Sequence, residues 1–86
     1  MYVHIGGDVT VIKNSITSVI DLETLPPGNK DVDSFLKAEE ESNRLQYITG
    51  DLPKTLVLTD DKTYVSPVSG YVLLKRLESN DITEIQ

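Results

Sequence analysis

The chain has no cysteine, no tryptophan and a single histidine. Without cysteine there is neither a disulfide framework nor a thiolate metal site, and the absence fits a cytoplasmic home. His4 has no second histidine or cysteine with which to hold a metal or share proton transfer; a half-exposed strand position is the expectation for it, with no metal or other cofactor. No stretch approaches the roughly 20 apolar residues that a membrane span takes. Met1-Tyr2-Val3-His4-Ile5 lacks the basic region and the long apolar run of a signal peptide. No membrane partner is therefore expected. Positive charge is also scarce, with 8 Lys and Arg against 14 Asp and Glu and a net charge of -6. That balance argues against a generic nucleic-acid binder, whose affinity comes largely from neutralising phosphates.

What is present makes one domain. A chain of 86 residues buries roughly two thirds of its unfolded surface and gains stability by oligomerising. Tyr2 to Ile5 reads as a short strand, Gly6-Gly7-Asp8 as a hairpin turn and Val9 to Ile12 as the returning strand. Ile16 to Asp21 reads as a third strand with Ile16 and Ile20 on one face. Pro26, Pro27 and Gly28 make Thr24 to Lys30 a loop. Asp31 is the expected cap of a helix over about 32–43, with Val32, Phe35 and Leu36 as its apolar stripe and a solvated second half. Leu45 to Thr49 reads as a further strand, and Lys54 to Thr59 as the strongest strand in the chain. Asp60-Asp61-Lys62 turns it back into Thr63 to Val65. Ser69 then caps a second helix over about 70–79, with Val72, Leu73, Leu74 and Leu77 as its apolar positions. The polar tail 80–86 is expected to fray. Short links between strands favour antiparallel pairing. The expectation is an α+β fold in which a small antiparallel sheet of five to six strands carries two helices on one face.

Few residues point to chemistry. Glu39, Glu40 and Glu41 are consecutive on a helix, so they point about 100° apart and cannot converge on one cation; a solvated face is the simpler reading. Gly6-Gly7 precedes a strand, not a helix whose amino terminus would hold phosphate. Thr63, Ser66 and Ser69 lack a general base, and Ser69 and Ser66-Pro67 are explained as a cap and a strand terminator. Nothing here reads as an enzyme. Tyr64 and Tyr71 near Lys75-Arg76 have the composition of interface anchors, with a core role for the tyrosines as the alternative.

The run Thr63-Tyr64-Val65-Ser66-Pro67-Val68-Ser69 leading into Leu74-Lys75-Arg76 resembles the RemA/RemB family of extracellular-matrix regulators, most nearly its RemB type. The opening Tyr2-Val3-His4-Ile5-Gly6, the segment Ile16 to Asp21, the helix around Phe35-Leu36 and the strand Lys54 to Leu58 follow in the family's order and spacing. The domain is accordingly placed at 1–79.

The resemblance implies a small cytoplasmic regulator linked to biofilm matrix gene expression. It also implies assembly into a homo-oligomeric ring that binds duplex DNA, because RemA-type members bind DNA through arginines repeated around a ring. A ring multiplies weak phosphate contacts into avidity. The arginine-rich turn of that type is replaced here by Gly50-Asp51-Leu52-Pro53-Lys54, in which only Lys54 is basic. Two expectations follow. In one, the protein is a DNA-associated ring that touches phosphates through Lys54, Lys75 and Arg76, with Tyr64 and Tyr71 between subunits. In the other, it is a module that acts by protein contacts, with a RemA-like protein as partner.

Overall fold

The strand marked most strongly by the sequence, Thr55–Thr59 (β5), is buried on both sides: Leu56 is 0% and Val57 1% exposed. Successive strand residues point to opposite faces, so β5 needs a wall on each side. The computed structural model describes residues 1–26, 28–48 and 52–78, and it provides both walls. In order, the elements are β1 (Tyr2–Gly6), β2 (Val9–Ile12), β3 (Ile16–Asp21), α1 (Lys30–Glu41), β4 (Leu45–Tyr47), β5, β6 (Thr63–Ser66) and α2 (Gly70–Glu78). This is the expected α+β domain of six strands and two helices. The tail 80–86 lies outside the described residues.

The strands form a two-stranded hairpin, β1–β2, and a four-stranded sheet in the order β3-β5-β6-β4. Every pair is antiparallel except β4–β6, which is parallel. The turn at Asp60–Lys62 locks β5 to β6, and β3 takes the other edge of β5. That leaves β4 the outer edge of β6, which its direction makes parallel.

One face of the four-stranded sheet carries Val57 against the hairpin residues Val3, Ile5 and Val11 and against Leu73 of α2. Each such side chain contributes about 1.5–3 kcal/mol on burial. The other face carries Leu56 and Val65, which are paired across β5 and β6. There α1 closes the layer, and its Glu39 accepts a hydrogen bond from the hydroxyl of Thr63. The helices therefore lie on opposite faces, where one face was expected. A central strand apolar on both sides forces that arrangement.

Three local details also depart from the sequence reading. The register of β3 on β5 slips between Ile16 and Ser18, so Ile16 opposes Thr59 while Ile20 opposes Leu56. That bulge puts Ile16 and Ile20 on different faces, and Ile16 joins Val19 against the hairpin-side core. The cap of α1 is Asn29, whose side chain accepts from the Val32 amide at 3.0 Å, which leaves Asp31 and Asp33 in the first turn facing the helix dipole. Glu39 is not solvated. It lies one turn beyond Phe35 and Leu36 on the sheet side of α1, where it pairs with Arg44 at 3.3 Å. Glu40 and Glu41 alone keep the exposed face.

Candidate functional site

The run Ser66-Pro67-Val68-Ser69 is a structural junction. The buried Ser66 hydroxyl donates to the Ile5 carbonyl at 2.6 Å and accepts from the Val68 amide at 3.0 Å. Beside it, Thr55 donates to the Val68 carbonyl at 2.6 Å. Ser69 Oγ accepts from the Val72 amide at 3.3 Å, which caps α2 as expected. The Thr63 hydroxyl is given to Glu39. Each hydroxyl weighed as a nucleophile is thus committed to holding the fold. The junction is tight because Gly70 sits where a Cβ would come within 3.2 Å of Asp21. Gly6, at φ +133°, makes the bend that brings β1 against Pro67 and Ile48.

The three basic residues expected at a phosphate surface have different surroundings. Arg76 donates to the His4 carbonyl at 2.9 Å and lies 3.4 Å from His4 Nδ1. On the other side of that ring, Nε2 is 2.7 Å from the Gly7 carbonyl. A carbonyl only accepts, so Nε2 carries the proton and Nδ1 faces the guanidinium as an acceptor. Arg76 therefore ties α2 to β1. Lys75 lies over the Tyr71 ring, 5.4 Å from its centroid, a cation–π arrangement. Lys54 is half-buried at the start of β5, with its backbone bonded to Ser66 and Leu22 at 2.8 and 2.9 Å. Lys54 is held beside the Ser66 junction, whereas Lys75 and Arg76 lie on the last turn of α2.

The two tyrosines also belong to different surfaces. Tyr71 is 69% exposed on α2. Tyr64 is half-buried and packs on the hairpin-side core. It also lines a groove of about 400 Å³ with Tyr2, Val11, Ile12, Asp60 and Asp61. Tyr2 and Ile12 stand opposite each other across the hairpin and are 62% and 51% exposed. The sequence reading treated Asp60-Asp61 only as a turn and Tyr2 only as a strand residue. The signal was the alternation in β1: with Val3 and Ile5 inward, Tyr2 must point outward, beside whichever residue pairs with it. All eight lysines and arginines fall among the described residues, where the one ion pair is Arg44–Glu39. Asp60 and Asp61 thus have no cationic partner there. Among the described residues no helix is long and apolar enough to cross a membrane.

No family model matches the chain. It is similar to extracellular matrix regulatory protein B of Bacillus subtilis (strain 168), with 30% identity over 79 residues that cover 91% of this chain and 91% of that protein. The match covers about nine tenths of the chain and agrees with the RemB side of the resemblance. The chain belongs to the family of extracellular matrix regulatory protein B.

Proposed function

We propose that the protein is a non-catalytic cytoplasmic regulator of biofilm matrix gene expression that acts through contacts with other proteins, not through direct contact with DNA. The regulatory role comes from the name of the relative. The observation that carries the mode of action is the charge balance, 14 Asp and Glu against 8 Lys and Arg for a net charge of -6. Such a chain repels a duplex, whose binding draws on cations that displace its counterions. The partner of such a module is a RemA-like protein or another copy of the chain. Titration of labelled duplex DNA should show no binding at about 50 mM salt, where phosphate contacts are strongest. Binding that is strong there and falls steeply by about 200 mM would overturn this reading. It would favour the second one, a DNA-binding homo-oligomer using Lys54, Lys75 and Arg76. Lys54, which has no acidic partner among the described residues, is the observation behind that alternative.

A further inference from the structure

We propose that the groove between β2 and the β5–β6 turn binds an arginine-bearing segment of a foreign protein. The proposal rests on the reading of the protein as one that works by protein contacts, and it names the chemistry of the partner and the surface that receives it.

The groove has an apolar wall, formed by Val11, Ile12 and the rings of Tyr2 and Tyr64, and an acidic rim, Asp60 and Asp61. The wall offers surface that the fold leaves uncovered, since Tyr2 and Ile12 face each other across the hairpin and are both more than half exposed. The rim sits on a tied turn. The hydroxyl of the buried Thr59 donates to the Lys62 carbonyl at 2.7 Å and accepts from the Lys62 amide at 3.1 Å, with Asp61 Oδ1 at 3.2 Å from it. The Asp60 amide donates to the Ser15 carbonyl at 3.0 Å. Neither carboxylate is in an ion pair among the described residues. Lys62, the cation nearest in sequence, donates to Gln46 on β4 at 3.2 Å.

Carboxylates beside aromatic rings match an arginine. Its planar guanidinium stacks on a ring face, forks onto carboxylate oxygens and rides on an apolar stem. Phosphate has the wrong sign for this rim. Charge also indicates which protein brings the arginine. A second copy, itself at net charge -6, is repelled at long range, whereas a basic partner is drawn in. The chain has only two arginines, and both have acceptors within the fold: Arg44 pairs with Glu39, and Arg76 donates to the His4 carbonyl.

A peptide titration followed by NMR tests the proposal on the whole chain. The probe is N-acetyl-leucyl-arginyl-leucyl-arginine amide. Wild-type amide resonances of Ile12, Asp60, Asp61 and Tyr64 should shift together and saturate with a Kd of about 1 mM or tighter. The same peptide with citrulline for arginine keeps the shape and loses the charge, and it should bind at least about tenfold more weakly. Exchange of its leucines for glycine should also weaken binding, because the apolar wall is then left wet. The double variant Asp60→Asn with Asp61→Asn should lose about tenfold in affinity for the arginine peptide. Asparagine keeps the size and the Oδ1 acceptor beside Thr59, so circular dichroism should give the variant the wild-type melt. Groove resonances that stay still at about 10 mM peptide overturn the proposal, as does binding that is indifferent to citrulline, to glycine or to the variant. Groove resonances that move on protein concentration alone assign the surface to a second copy, and movement on addition of duplex DNA assigns it to nucleic acid; either result also overturns it. A chain that binds neither peptide nor duplex loses the groove and keeps the protein-contact reading, whereas duplex binding removes that reading itself, so the two failures are distinguishable.

Discussion

The two helices cover opposite faces of one sheet and are held by different forces. α1 has twelve residues and buries none of them fully; Val32, Phe35 and Leu36 are half-buried. Its remaining anchors are the Asn29 cap and the Glu39–Arg44–Thr63 network. α2 is shorter, at nine residues, yet it buries Leu73 in the main core and Gly70 against Asp21. Anchoring follows the number of side chains removed from water, not helix length. The α2 face, with the hairpin and the Ser66 junction, is the structural centre. The α1 face is a lighter cover, and it is the first candidate for local opening.

Three substitutions probe that contrast. Leu73→Ala removes a side chain 1% exposed in the hairpin-side core and should cost about 2–5 kcal/mol in urea unfolding. Ser66→Ala should come next, at about 1–3 kcal/mol, because it leaves the Ile5 carbonyl buried without its donor. Asn29→Ala should be mildest, at about 1 kcal/mol, the usual cost of a lost amino-terminal cap. It should also speed amide exchange in α1 while leaving α2 protected. If Asn29→Ala costs as much as Leu73→Ala, the two helices are equally anchored and the contrast fails.

Much of this was legible in the sequence because it is local. The pattern of β5, the glycine turn of the hairpin and the Ser69 cap each follow from a few neighbouring residues. The misplaced features are those decided by distant parts of the chain. β4 pairs in parallel because β3 and β6 had already filled the edges of β5. Ile16 changes face through a one-residue bulge opposite Thr59, which composition does not announce. Asn29 and Asp31 are both good caps on paper, and the choice between them depends on where the loop delivers the chain. The surroundings of the basic residues were not legible either, since only the fold brings His4, 72 residues away, to the Arg76 guanidinium. The groove was missed for the same reason, since Tyr2, Ile12 and Asp60 meet only in three dimensions.

The hydrogen bond from Ser66 to Ile5 joins residues 61 positions apart. An isolated hairpin is marginal in water, so the inward side chains of β1 and β2 are covered only once the segment through Ser66 has closed over them. Closing so long a loop carries an entropic cost that local contacts do not meet, which slows folding relative to a helical chain of this size. The fold thus depends on a contact that spans most of the chain, and a fragment ending before Ser66 should lose the cooperative melt of the whole.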